Sequence, residues 1–213
     1  TSGRAMSELE IEPAAAAALF GDRIDVARQF TADLAREGET RGLIGPLELP
    51  RLWTRHVLNS ALVAPLLRPG RVGDIGTGAG LPGLVVAIAR PDVDLVLIEP
   101  MERRVDWLNQ EVEALGLTNV EVLRARAEEA VGIEPLTQVT ARAVSALSKL
   151  IPITVPLLAE GGELVFMKGE KVTDEITAAQ KVIRKHRLAD VRVEILGEGL
   201  LPEITRVFRA VRA

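Results

Sequence analysis

The chain has 213 residues, 47% of them apolar, and a formal net charge of −4, which suffices for one sizeable α/β core and a small appendage. It contains no cysteine, which excludes disulfides, thiolate metal sites and a cysteine nucleophile and suits a reducing cytoplasm. No apolar run reaches the length of a membrane span, so a soluble, cytoplasmic protein without metal chemistry is expected.

Thr1 to Ala5, ahead of Met6, read as a non-native leader. From about Ala14 to Glu39 a helical period places Leu19, Ile24, Ala27, Phe30 and Leu34 near one face. Gly42 to Pro50 reads as a loop, and a second helix is expected over roughly Leu52 to Leu67. A strict alternation follows. Strands are predicted near 71–76, 93–99, 120–125, 138–143 and 161–168, with helices near 82–90, 102–115 and 145–158, the pattern of a parallel sheet. A helix near 173–187 leads to two β-rich runs, 190–196 and 204–211, parted by Gly197, Gly199 and Pro202, which implies an edge hairpin whose last strand is antiparallel. One domain is expected over residues 1–213, with a helical extension over 6–68 and a cofactor-binding core over 69–213. The charge is uneven along it: residues 1–139 carry 14 Lys/Arg and 21 Asp/Glu, residues 140–213 carry 12 and 9. The later part has the composition for a basic face, whether RNA-contacting or merely solvated. Lys181, Arg184, Lys185 and Arg187 are its densest run. Trp53 and Trp107 read as packing residues.

The stretch from Val72 to Gly83 combines a strand end, a glycine turn and a helix start. Glycines there permit positive φ and close approach of a ligand, and Pro82 suits a first helical turn. Gly78, Gly80 and Gly83 also satisfy the dinucleotide fingerprint, so a nicotinamide-dependent oxidoreductase competes for this loop. Asp74 shifts the balance. A carboxylate reaching into the site repels a pyrophosphate and attracts the ammonium and sulfonium of S-adenosylmethionine. Seven strands with an antiparallel last one also suit a class I S-adenosylmethionine-dependent methyltransferase, an α/β doubly wound sheet, better than a six-stranded parallel dinucleotide fold.

In such sheets ligands lie over the carboxyl ends of the strands. Strand two ends at Glu99, suited to ribose hydroxyls whichever nucleotide is bound. After strand three, Ala127 and Glu128 stand where they meet an adenine edge or simply begin a helix. Strand four ends at Arg142, either aimed at the reaction centre or held in a structural ion pair. Strand five ends at Lys168, functional or solvated. His56 sits in a polar patch on an apolar helix and reads equally as a packed core histidine. No Asn/Asp-Pro-Pro-aromatic turn follows strand four, which disfavours exocyclic amine methylation, and without cysteine the pyrimidine carbon-five route is closed. An endocyclic nitrogen such as guanine N7, which has no proton to remove, remains. With 3% aromatic residues, affinity for RNA would rest on arginine and RNA shape.

Arg55-His56-Val57-Leu58-Asn59-Ser60, the Asp74-to-Leu84 loop, Glu99 with Arg103 and Arg104, Arg142-Ala143-Val144 and Lys168-Gly169 together resemble the GidB/RsmG family. That family comprises bacterial methyltransferases acting on guanine N7 of small-subunit (16S) ribosomal RNA, free or within a ribosomal particle. The resemblance implies that Gly76, Leu81, Ala127, Glu128 and Arg142 contact S-adenosylmethionine, joined by Asp74, Gly78 and Gly80 of the loop, with Glu99 on the ribose. Arg142, His56 and Lys168 are then the candidates for orienting base and phosphate. Asn59 stands where the family pattern has aspartate. A noncatalytic RNA-binding module on the same fold is the second rival.

Overall fold

The computed structural model describes residues 8–213, so the leader expected at Thr1 to Ala5 lies outside the described residues. The strands are β1 (Gly70–Ile75), β2 (Val93–Ile98), β3 (Val120–Leu123), β4 (Leu136–Arg142), β5 (Leu158–Lys168), β6 (Leu188–Leu196) and β7 (Thr205–Arg212). They form one sheet in the order β3-β2-β1-β4-β5-β7-β6. Pairings from β3 through β5 are parallel, while β7 runs antiparallel to both β5 and β6. This is the seven-stranded, mostly parallel, doubly wound sheet expected from the alternation of strands and helices.

The order reverses beside β1, so the carboxyl ends of β1 and β4 flank the crevice where such sheets bind ligands. β2 is an almost wholly apolar run, and β1, β2 and β4 are buried along most of their length, as central strands of a parallel sheet are; helices cover the two sides. On one side α1 (Ala15–Phe20), α2 (Ile24–Glu37), α4 (Gly83–Ala89) and α5 (Glu102–Ala114) enclose a core holding Phe30, Leu34, Trp53, Leu84, Ile88 and Trp107. On the other, α6 (Leu147–Thr154), α7 (Val172–Ala178) and α8 (Gln180–Lys185) cover Val139, Leu164, Phe166 and Phe208. Phe166 and Phe208 are cross-strand partners and stack with ring centroids 6.1 Å apart. Both tryptophans are packed inside, as expected of packing residues.

Three elements depart from the sequence expectation. The first helix is broken at Gly21, whose φ of 54° ends α1 before α2 begins. The expected helix over 52–67 opens as a π-helix at Leu52–Leu58, continues for one short turn, α3 (Asn59–Ala61), and ends in a 3-10 turn. The helix expected over 173–187 is two short helices that meet at Ala179. In each case the apolar period persists across a break that the backbone makes for tertiary reasons.

Polar ties fasten the extension and the hairpin to the sheet. Gln138 on β4 accepts from the Arg68 amide at 2.8 Å and donates to the Leu66 carbonyl and to Glu163. Glu163, buried on β5, also takes two hydrogen bonds from Arg209 and one from Arg192. Those arginines, the Gln138 amide and neighbouring charge hold its carboxyl below the usual range against the opposing effect of burial.

Glu111 on α5 is buried against α2, where burial and the facing Asp33 and Glu37 push its carboxyl up to about 8. The unfolded chain releases that proton near about pH 4, so the folded state binds the extra proton between there and about 8. Stability contributed by the protonated form is therefore lost as pH rises through this window. The melting temperature should decline between about pH 5 and about pH 8, and Glu111→Gln, which stays neutral, should flatten that decline. Parallel declines in both proteins would mean that Glu111 is ionised in the folded state.

Candidate functional site

The glycine turn lies between β1 and α4. Gly76, Gly78 and Gly80 have φ values of 62°, 59° and 98°, so each needs the freedom that only glycine has without strain. Their roles differ. Gly76 and Gly78 line a cavity of about 250 Å³, together with Leu43, Ile44, Glu48, His56, Leu81 and Arg142. Gly80 faces inward, and a Cβ there would come within 2.5 Å of the Leu84 side chain. Its lack of a side chain is required by packing, and it does not line the cavity.

Asp74 lies beneath the cavity floor. Fully buried at the end of β1, it accepts from the Gly83 amide at 2.8 Å and from the Thr140 hydroxyl at 3.0 Å. The expectation that its carboxylate reaches into the site is corrected: it joins β1, β4 and the first turn of α4. Burial pushes its carboxyl up to about 6, opposed by the nearby Thr77 hydroxyl, by the hydrogen bonds from Thr140 and Gly83 and by the charge of Arg142. A Cβ on Gly83 would approach Asp74 Oδ2 to 2.7 Å and Leu97 to 2.3 Å, so the third fingerprint glycine serves this tie. Pro82 takes the cap position of α4, one residue before the first turn where it was expected.

Glu99, also buried, accepts from the Gly78 amide at 3.0 Å and the Met101 amide at 2.9 Å. A carboxylate has four acceptor directions, so two remain after these bonds. Ala127 and Glu128 follow β3 in a short 3-10 turn, Ala127 buried and Glu128 exposed. The β2–β3 pairing sets their segment beside Glu99, since the Ala125 amide donates to the Glu99 carbonyl at 3.2 Å. Neither residue borders the cavity over the glycine turn.

Arg142 ends β4, followed by Ala143 with an unusual φ of 52°. Its hydrogen-bond partner is a neutral acceptor: Nη2 donates to His56 Nδ1 at 2.7 Å. The structural ion pair that sequence allowed is not what holds it. Arg142 also lines a second, larger cavity of about 580 Å³ with Arg55, Asn59, Ser145, Lys168 and Thr205. It therefore stands on the wall shared by both cavities. Burial, then the neighbouring Arg55, weakens its hold on its proton, while Asp74 and Glu48 oppose this; a guanidinium stays charged regardless.

His56 is neither a core residue nor a free base. Its Nε2 lies 3.0 Å from Glu48 Oε2, and Glu48 is gripped by Arg51 at 2.5 and 2.9 Å. Arg51 foremost, then His56, holds Glu48 down at about 2. Because Arg142 can only donate, Nδ1 must be the accepting nitrogen and Nε2 the protonated one. Burial, aided by the charge of Arg142, lowers the histidine pKa in spite of Glu48. Lys168 lines the larger cavity, but its ammonium donates to the Ser145 carbonyl at 2.7 Å and to Glu175 at 2.9 Å, fixing the loop after β4. Glu48, Arg55 and Glu175 were not singled out as site residues by sequence reasoning. Arg55 was quotable only within a motif, and nothing in the loop at 42–50 marks Glu48. The basic run at Lys181 to Arg187 is exposed, and Lys185 and Arg187 line a separate cavity with Arg212 near the start of β5, away from the strand ends that carry the site.

A sequence model described as rRNA small subunit methyltransferase G matches residues 23–204. The chain is 67% identical over 202 residues to "Ribosomal RNA small subunit methyltransferase G" of Leifsonia xyli, covering 95% of this chain and 97% of that protein. It is 68% identical over 202 residues to the protein of the same name from Clavibacter michiganensis, covering 95% and 96%. Among solved structures, an S-adenosylmethionine-dependent O-methyltransferase from Thermotoga maritima superposes with a TM-score of 0.58 at 15% identity, over 73% of this chain and 65% of that one, a likeness of fold. The family model and these relatives agree, and the chain belongs to the GidB family of small-subunit ribosomal RNA methyltransferases.

Proposed function

We propose that this protein transfers a methyl group from S-adenosylmethionine to N7 of a guanine in small-subunit ribosomal RNA, in the cytoplasm. The observation that carries the reading is the position of Arg142, charged and without a carboxylate partner, on the wall between a cavity over the glycine turn and a larger one. The smaller cavity has the chemistry of a nucleoside site. Backbone glycines, Leu81 and Ile44 offer flat and apolar surface, and Glu99, bonded to the amide of cavity-lining Gly78, would offer its remaining acceptor directions to ribose hydroxyls. Ala127 and Glu128 would stand on the adenine side of Glu99. Asp74, Gly80 and Gly83 serve the same site from beneath, by holding the turn. Bound there, S-adenosylmethionine supplies an electrophilic methyl.

The larger cavity suits the acceptor. Arg55 and Arg142 present guanidinium donors to it beside Asn59, whose amide donates to Thr205, and phosphate or base oxygen is the chemistry those guanidiniums recognise. An acceptor that needs no deprotonation fits the state of His56, whose basic nitrogen is already capped by Arg142 and whose proton faces Glu48. Catalysis then rests on positioning. N7 methylation builds positive charge on the purine, so Arg142 serves a carboxylate, O6 or a phosphate and not N7 itself. Lys168, engaged by Glu175, shapes the loop that borders this cavity.

Radiolabelled methyl transfer to small ribosomal subunits, followed by mass mapping of the RNA, tests the reading. Label on N7 of one guanine is expected; label on an exocyclic amine would overturn the acceptor assignment. S-adenosylhomocysteine should raise the melting temperature and NAD should not, since only a ligand that binds the folded state stabilises it. Arg142→Ala should raise the barrier by about 2–4 kcal/mol with folding intact, and lysine should rescue little because a point charge lacks the planar fork. Full activity in the alanine variant would remove Arg142 from the site.

A further expectation concerns the floor. Asp74→Ala and Gly83→Ala should each weaken S-adenosylhomocysteine binding about tenfold, or about 1.4 kcal/mol, by releasing the glycine turn. Calorimetric titration reads this directly, and unchanged affinity in both would show that the tie does not govern the cavity.

A further inference from the structure

A chain of hydrogen bonds runs from the loop at 42–50 to the wall between the cavities. Arg51 grips Glu48 at 2.5 and 2.9 Å, Glu48 faces His56 Nε2 at 3.0 Å, and His56 Nδ1 accepts from Arg142 at 2.7 Å. Nothing about methyl transfer by itself requires these groups to be linked. The charged neighbours of His56 are Glu48 on the loop, Arg142 at the end of β4 and Arg55 on its own π-helix. Two of the three are cations, and Arg142 gains its fixed place from a neutral acceptor instead of a carboxylate.

We propose that Glu48 and neutral His56 are a positioning pair for Arg142, so that the wall between the cavities is formed only while Nδ1 of His56 carries no proton. The inference rests on the methyltransferase reading above for its catalytic consequence, not for its geometry. Glu48 selects the tautomer by accepting the Nε2 proton, which leaves the Nδ1 lone pair for Arg142. Protonation of Nδ1 would set an N–H against the guanidinium N–H, two donors and two positive charges 2.7 Å apart. Arg142 would then leave the wall. Glu48 and His56 touch no reacting atom in this account.

The direction with pH follows. Burial holds the folded-state pKa of His56 below its ordinary value, so the unfolded chain takes up the proton first as pH falls. The folded relay is complete above the ordinary histidine range and is lost on the acid side. Methyl transfer should therefore show an acid limb and no basic limb near neutrality.

Two measurements test the pair. The chain holds two histidines, so nitrogen-15 NMR of the whole protein with His186→Gln as the assignment control isolates His56. An Nε2-protonated tautomer is expected, with a midpoint below the ordinary range that rises in Arg142→Ala and falls in Glu48→Gln by about one pH unit each. In parallel, the acid limb of methyl transfer to small ribosomal subunits should move to lower pH in Glu48→Gln, with a several-fold lower plateau. In His56→Gln, whose amide oxygen accepts from Arg142 at any pH, that limb should disappear. An Nδ1-protonated tautomer, a midpoint indifferent to both substitutions, or a limb that stays in place in all variants would overturn the proposal. The NMR titration needs no acceptor, so absence of methyl transfer by the unaltered protein would sink the proposed reaction and leave the relay to be judged by the titration alone.

Discussion

The site depends first on a carboxylate kept out of water. Asp74 bridges the amide of Gly83 and the hydroxyl of Thr140, and so locks β1, β4 and the start of α4 into one unit. Its desolvation is unfavourable, as the upward push on its carboxyl records; the hydrogen bonds repay it only because their donors stand at fixed places. One glycine of the turn follows from this directly, and the others answer to different neighbours. Gly83 leaves room for Asp74, Gly80 leaves room for Leu84, and only Gly76 and Gly78 remain to present bare backbone to a ligand. A fingerprint that looks like one function in sequence is therefore divided between glycines that leave room for packed side chains and glycines that line the cavity.

The helical extension is a structural part of the site and not a cover over it. Its core residues Phe30, Leu34 and Trp53 belong to the same apolar cluster as Leu84, Ile88 and Trp107. Trp107 donates to the Ala79 carbonyl at 3.0 Å, so the glycine turn is held from that side as well. The π-helix at Leu52–Leu58 carries Arg55 to the larger cavity and His56 to the smaller one. Wide-turn helices of this kind cost hydrogen-bond quality and are found where function holds them in place. Here the anchor is double: buried Leu52, Trp53, Val57 and Leu58 on one face, and the bonds of His56 to Glu48 and Arg142 on the other.

Electrostatics separates the two cavities in character. Around the glycine turn Asp74 and Glu99 accept from backbone amides and Glu48 is paired with Arg51, so the carboxylates there are largely engaged. Across Arg142 the larger cavity gathers Arg55, Arg142 and Lys168, with Lys168 neutralised by Glu175 and the arginines uncompensated by any carboxylate that lines it. Two uncompensated guanidinium groups facing one space favour an anionic guest. The net charge of the chain is negative, so this preference belongs to the cavity and not to the molecule as a whole.

The sequence by itself determined the strand succession, the glycine turn and the closing antiparallel strand, because period-two apolar runs, glycine and proline report local backbone preference and burial directly. It also marked Arg142, Glu99 and His56, because polar residues that end apolar strands or interrupt an apolar helix stand out against their neighbours. Only the tertiary structure decided which of them meet. Glu48 and His56 are eight positions apart, His56 and Arg142 eighty-six, and no period links them. The inward turn of Asp74, the widened helix and the engagement of Lys168 by Glu175 were settled in the same way. Each depends on a donor or a volume supplied from another element, and a one-dimensional pattern records how buried a side chain is without recording what it is buried against.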